Sequence, residues 1–269
     1  MFTKEYRIIM PMTVEEFQIG HLWTVAEAAK KETGGGEGVQ VLRNEPFEGA
    51  NLFHGEFTSG QYTHKVYHVD TKMPAILRAF MPKGSQTLHE RAWNAYPYIL
   101  TKFTSPYMKE NLELTIQTIY QDNAGTTENP FGLPPDELSR RMVVNIDIAN
   151  DKEHLSRSDI REATRPSMFR SEVTGRGPLR GAWQENTDPL MCCYKLITVN
   201  FNLFGFQTLV ESYLKKQFPR LLSKFHREMF CMMDRWYGLT LAQIRALEEE
   251  TQRQLDQLRA TGKPRGMLG

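Results

Sequence analysis

Residues 60–70 read GQYTHKVYHVD and set two kinds of chemistry side by side. A strand sends successive side chains to opposite faces. Tyr62, His64, Val66 and His68 would then share one face, and Thr63, Lys65, Tyr67 and Val69 the other. His64 and His68 could supply half of a metal site, Thr63 and Lys65 could address something anionic inside the molecule, or the stretch could be an ordinary edge strand. A metal needs further ligands at usable spacing. His89-Glu90-Arg91-Ala92-Trp93 begins as HExxH does but puts Trp93 where the second histidine would stand, and no other His or Cys cluster completes a site. No metal is expected. Lys65 is either a lysine that snorkels to solvent or, if both faces of its sheet are covered, one that needs an anion. Glu248, or a bound phosphate or polyol, would serve.

Glu248 is the matching anomaly. Leu241, Ile244, Glu248, Thr251, Leu255 and Leu258 recur at helical spacing, so a carboxylate interrupts an apolar stripe while Glu249 and Glu250 point away. A buried carboxylate is costly unless it is paired or hydrogen-bonded. Either Glu248 faces a partner, or the helix is rotated and Glu248 lies at the solvated edge. For nucleophilic catalysis there is no GxSxG elbow. His226 and Cys231 form a conceivable pair, but both fall on one long helix and Cys231 reads as packing, so no catalytic residue is expected. FNLFGF (201–206) is either a buried corner plug or an apolar tip for a membrane interface.

Strands must position these groups. Strand character is read at 4–11, 39–43, 61–69, 74–81, 93–103, 111–120 and 191–204, with turn signals between most of them, as in a mainly antiparallel sheet. Thr13 with Glu16 is a capping-box signature, predicting a helix from Val14 to the Thr33–Gly38 turn. That glycine cluster follows a helix and lacks GKS or GKT, so it reads as a turn rather than a phosphate cradle. A long helix is predicted over 207–237 on the stripe Val210, Leu214, Phe218, Leu221, Phe225, Met229, Met232 and Trp236, kinked or interrupted at Pro219. A second capping box, Thr240 with Gln243, opens a last helix that runs to about Ala260. Residues 121–137 read as a loop, 142–150 have no clear structure, and the charged, aperiodic 151–188 reads as an excursion.

The chain's 269 residues can bury a sizeable core. A net charge of +1 argues against binding nucleic acid through bulk electrostatics. Three cysteines, two of them adjacent, do not form a disulfide framework, and no apolar run has signal-peptide or membrane-spanning length, so a soluble cytoplasmic protein is expected.

KEYRIIMPMTVEEFQIG, ETGGGEGV, NEPF, GQYTHKVYH, WNAYPY, TGRGPL, CCYKL and RALEEETQRQL, in this order and spacing, resemble the phosphatidylinositol transfer proteins from Lys4 to about Met267. The resemblance implies an α+β, START-like helix-grip fold, in which a concave, mainly antiparallel sheet and long helices enclose one phospholipid. A single domain over 1–269 is expected, the long, aperiodic 151–188 being an excursion or a regulatory loop, and the resemblance implies that the last helix, 240–260, and the tail, 261–269, act as a lid. It also implies a monomeric cytosolic carrier that touches membranes transiently, exchanges phosphatidylinositol and usually phosphatidylcholine, and uses no cofactor beyond its cargo. A sensor that exchanges phosphatidylinositol for phosphatidic acid is the alternative, although length and ending fit the stand-alone members; a lipid-modifying enzyme is a more distant one.

Carried over residue by residue, the family's inositol contacts fall on Thr63, Lys65, Asn94 and Glu248, and its phosphate contacts on Thr101, Thr118 and Lys195. A fourth phosphate contact, usually Gln, is His21 here. Leu203-Phe204 replace the membrane-docking Trp pair, and Ile99 replaces a Cys near the choline site. Ser171 stands at a position phosphorylated in some relatives.

Overall fold

The computed structural model describes residues 2–69, 86–202, 205 and 207–263. The predicted strand at 74–81 and the pair Leu203-Phe204 lie outside the described residues. Among the described residues eight strands form one sheet: β1 (Phe2–Met10), β2 (Gly38–Phe47), β3 (Gly60–His68), β4 (Thr87–Ala95), β5 (Tyr98–Thr104), β6 (Leu112–Gln121), β7 (Met142–Ile146) and β8 (Met191–Phe201). Their order is β2-β3-β4-β5-β6-β8-β1-β7. Among the described residues every strand pairing is antiparallel except β1 with β7. The helices are α1 (Val14–Glu32), α2 (Pro135–Arg140), α3 (Gln207–Cys231), α4 (Met233–Trp236) and α5 (Leu241–Thr261). This is the α+β architecture expected from the sequence.

Both capping boxes form. Thr13 accepts from the Glu16 N–H while the Glu16 carboxylate accepts from the Thr13 N–H, and Thr240 and Gln243 do the same for α5. Each box satisfies donors that a helix start otherwise leaves orphaned. The glycine turn has a structural role: the N–H groups of Gly35 and Gly36 donate to the carbonyls of Leu258 and Arg259 at 3.3 and 2.8 Å. They cap the end of α5 rather than cradle a phosphate. Gly38 (φ +104°) is required, because a Cβ there would lie 2.4 Å from Thr33.

Four sequence expectations change. The stretch 93–103 is a hairpin, β4 turning into β5 at Tyr96-Pro97, and β4 begins six residues earlier than position 93. Helix α3 runs through Pro219 and ends at Cys231; Met232 (φ −103°, ψ 14°) separates it from α4. Pro219 is buried, so tertiary packing outweighs the local cost of a missing N–H. Leu221 is exposed and its neighbour Leu222 packs on the core instead. The segment 142–150 supplies β7 over Met142–Ile146, which pairs in parallel with β1.

The excursion at 151–188 contains only single helical turns but is firmly tied down. Asp159 accepts from Arg220 at 2.7 and 2.8 Å and pairs with Lys224 at 3.2 Å. Arg220's hydrogen bonds hold the Asp159 carboxyl well below the usual carboxylate range. Arg176 makes a bidentate pair with Glu16 of α1, and the indole of Trp183 donates to Asp147. Ser171 is buried, its hydroxyl donating to Asp234.

Two apolar clusters flank the sheet. The larger lies on the inner face, where Tyr6, Ile8, Met10, Ile197 and Val199 meet Phe17, Met229, Phe230 and Trp236 from the helices. The smaller covers part of the outer face, with Tyr98, Ile119, Cys192 and Tyr194 under Leu52 and Phe131.

Candidate functional site

Between the inner face of β2–β6 and β8 on one side, and α1, α3 and α5 on the other, lies a cavity of about 380 Å³. Strand register sorts its polar wall into rows. One row runs Gln61–Asn94–Ile99–Thr118–Lys195–Tyr6 across six strands. The next runs Asn44–Thr63–Ala92–Thr101–Ile116–Ile197. The third sets Lys65 directly opposite Glu90, with Phe103 beyond it. Strands are spaced about 4.8 Å apart, so Asn94 on β4 and Thr118 on β6 sit roughly 10 Å apart along their row.

All eight residues assigned to inositol and phosphate line this one cavity: His21, Thr63, Lys65, Asn94, Thr101, Thr118, Lys195 and Glu248. Ile99 lines it as well. The alternation read in residues 61–69 holds, with Thr63, Lys65 and Tyr67 facing inward. On the other face, His64 Nε2 lies 3.0 Å from His89 Nδ1, and His68 Nε2 lies 3.0 Å from Gln40 Oε1. The outward histidines are therefore tied to neighbours on adjacent strands.

One expected pairing is corrected. Lys65 does not pair with Glu248 across the cavity; its Nζ lies 3.3 Å from the Glu90 carboxylate, which also accepts from the Tyr67 hydroxyl. Glu90 stands opposite Lys65 on the neighbouring strand, so the pair forms without the lysine crossing open space. Burial and the adjacent Glu90 raise the Tyr67 pKa well above the ordinary value, which keeps the phenol protonated as a donor. Glu248 does face inward, as one of the two sequence readings had it, and takes different partners. Arg245 donates to it at 2.6 Å and Asn44 at 3.3 Å, while Gln61 donates to Asn44 at 2.7 Å. Glu90, Asn44, Gln61 and Arg245 are lining residues that sequence reasoning missed. For Glu90 the signal lay in the inward alternation Glu90, Ala92, Asn94.

The other end of the wall is built around Lys195. Its ammonium donates to Thr118 at 3.1 Å and forms no ion pair among the described residues. His21 lies near it, lining the cavity and contacting Phe17, Tyr120 and Phe225. Burial holds the His21 pKa well below the usual histidine range, and Lys195, His226 and Lys65 push the same way. His226 is fully buried; its Nδ1–H donates to the Leu222 carbonyl at 2.7 Å, and burial pushes its pKa down to about 3. Its Nε2 has no partner among the described residues, nor do the cavity-lining hydroxyls of Tyr120 and Thr251. Burial pushes the Cys231 thiol up to about 12, which disfavours the thiolate that a Cys–His nucleophile needs.

The sequence profile described as phosphatidylinositol transfer protein matches residues 1–253. The chain is 45% identical over 268 residues to the phosphatidylinositol transfer protein beta isoform of Bos taurus, an alignment covering 98% of this chain and 96% of that one. It is 40% identical over 259 residues to phosphatidylinositol transfer protein 2 of Dictyostelium discoideum, covering 95% of each. Cytoplasmic phosphatidylinositol transfer protein 1 of Drosophila melanogaster is 39% identical over 249 residues, covering 93% of this chain and 88% of that one. With a family match across nearly its whole length and relatives similar from end to end, this chain belongs to the phosphatidylinositol transfer protein family.

Proposed function

We propose that this chain is a phospholipid carrier that holds one phosphatidylinositol at a time and moves it between membranes, with phosphatidylcholine as a second cargo. The observation that carries this reading is the charge arrangement on the cavity wall. Lys65 is matched by Glu90 and Arg245 by Glu248, whereas Lys195 forms no ion pair among the described residues. One phosphodiester beside Lys195 would supply the counter-charge, with Thr101, Thr118 and His21 as further donors. A ring of hydroxyls would then meet Thr63, Lys65, Asn94 and Glu248, whose hydroxyl, ammonium, amide and carboxylate can donate to and accept from it. Choline has no hydroxyls and would leave those groups unanswered, so the set favours inositol.

The acyl chains would take the apolar remainder of the wall, which includes Leu22, Val25, Ile116 and Phe225. At about 0.8 kcal/mol per buried methylene, two such chains cannot cross water economically without a closed carrier. In this reading α5 moves as a lid, the corner at 201–206 docks on a membrane, and a cytoplasmic monomer exchanges one lipid without covalent chemistry or a cofactor. Among the described residues no helix is long and apolar enough to span a membrane, so contact with a bilayer would be peripheral.

Lipid mass spectrometry of the protein purified from cells, combined with transfer of labelled phosphatidylinositol between vesicles, tests the proposal. Intact phosphatidylinositol should co-purify and move faster with protein than without. Absence of that lipid, or its conversion to a product, would overturn the reading. Replacing Leu203 and Phe204 with alanine should slow transfer through weaker liposome binding; unchanged liposome binding would remove the docking role of that corner.

A further inference from the structure

Two histidines lie at the Lys195 end of the cavity, bracketed by the same rings. Phe17 and Phe225 each contact both His21 and His226, with centroid separations between 5.3 and 5.8 Å. The two are not equivalent. His226 is fully buried and anchored by its bond to Leu222, whereas His21 also opens onto the cavity.

The groups facing His21 come from every surrounding element. Lys195 lies on β8, Lys65 on β3, Tyr120 on β6 and His226 on α3, while Tyr67 on β3, Glu90 on β4, Arg245 and Glu248 on α5 and Glu32 on α1 itself line the same cavity. The cationic groups Lys195 and Lys65, together with burial, disfavour an imidazolium when no anion is present. The carboxylates of Glu90 and Glu248 are already committed to Lys65 and Arg245. An anion seated beside Lys195 would offset that ammonium's repulsion and raise the ring's affinity for a proton relative to the empty state.

We infer that seating an anionic phosphate beside Lys195 is coupled to protonation of His21, so that the carrier holds a phospholipid more tightly as pH falls. The proton comes from solvent and returns to it when the lipid leaves. This inference rests on the phospholipid-carrier reading above and adds a regulation that glutamine at the same position could not provide, because an amide does not titrate. The sign follows from linkage: the loaded state binds more protons than the empty one, so affinity rises on acidification until the empty state is also protonated.

The test is equilibrium binding of water-soluble, short-chain phosphatidylinositol to the full chain stripped of bound lipid, from about pH 7.5 to about pH 5.5, where a histidine can change charge. The wild-type chain should tighten by up to about tenfold per pH unit, the limit for one linked proton. His21→Gln should bind with a flat profile, and His226→Gln should retain the slope. Calorimetry in two buffers of different ionisation enthalpy should find net proton uptake by the wild type and none by His21→Gln. Equal slopes in the wild type and His21→Gln, or a slope abolished only by His226→Gln, would overturn the assignment to His21. Binding with no slope in any variant would overturn the proton linkage alone. Failure of the wild type to bind at any pH would overturn the carrier reading itself.

Discussion

At the β8–β1 end of the sheet, Tyr6, Ile8, Met10, Ile197, Val199 and Phe201 are sealed beneath the helices; at the β3–β4 end the same inward face carries Thr63, Lys65, Glu90 and Asn94 around open space. Backbone pairing is continuous between them, since the row through Asn94, Ile99, Thr118 and Lys195 reaches Tyr6 without a break. What differs is what covers that face. At the sealed end Gly20 of α1 meets the indole of Trp236, and a Cβ at position 20 would lie only 2.9 Å from it. At the open end α5 reaches the sheet through polar contacts to its outermost strand, Glu248 to Asn44 and Gln252 to the Val41 carbonyl. One sheet can thus be core wall and cavity wall together, the first lined by close apolar packing and the second by polar pairs between α5 and β2.

The sharpest way to break that contrast is to damage each end separately. Trp236→Ala should cost about 3–5 kcal/mol of stability in urea unfolding, because it empties the site of a large, fully buried side chain in the sealed half. Lys65→Ala should lower phosphatidylinositol transfer about ten- to a hundredfold, the range expected for a lost charged hydrogen bond, while phosphatidylcholine transfer is kept. Equal loss of both lipids would make Lys65 a structural residue and erase the distinction between the two ends. Gly20→Ala should cost about 1–3 kcal/mol through overpacking against Trp236 and leave the ratio of the two lipids unchanged. A changed ratio would mean that strain at the sealed end reaches the cavity.

Much of this division can be read from single residues. Alternation alone sets Thr63 and Lys65 inward, and helical spacing brings Glu248 to the cavity side of α5. Alternation cannot choose a partner for Lys65, because Glu90 becomes its neighbour only through the β3–β4 register, 25 residues along the chain. Residues 87–92 (TLHERA) carry too few apolar side chains to announce a strand; pairing on both sides makes them one. The loop at 151–188 fails every periodicity test because the bonds that hold it, Asp159 to Arg220 and Arg176 to Glu16, run to residues on distant helices. The break at Met232 rather than Pro219 is likewise decided by what the helix packs against.

Gln61 offers the smallest effect and the finest resolution of the open end. Its amide donates to Asn44 Oδ1, and that bond leaves the Asn44 amide nitrogen facing Glu248. Gln61→Ala frees the Asn44 side chain to turn, which would present its oxygen to the carboxylate in place of a donor. Glu248 would still keep Arg245, so the loss is limited to one weak, 3.3 Å contact. A two- to fivefold drop in phosphatidylinositol transfer is expected, corresponding to about 0.5–1 kcal/mol, with phosphatidylcholine transfer unaffected. Glu248→Ala removes the acceptor itself and should do considerably more. If the two variants proved equally damaging, and to both lipids, the relay from Gln61 to Glu248 would serve to seat α5 on the sheet. If only phosphatidylinositol suffers, and in that order of severity, β2 helps to position Glu248 for the headgroup, and the polar seam between α5 and β2 also tells one headgroup from another.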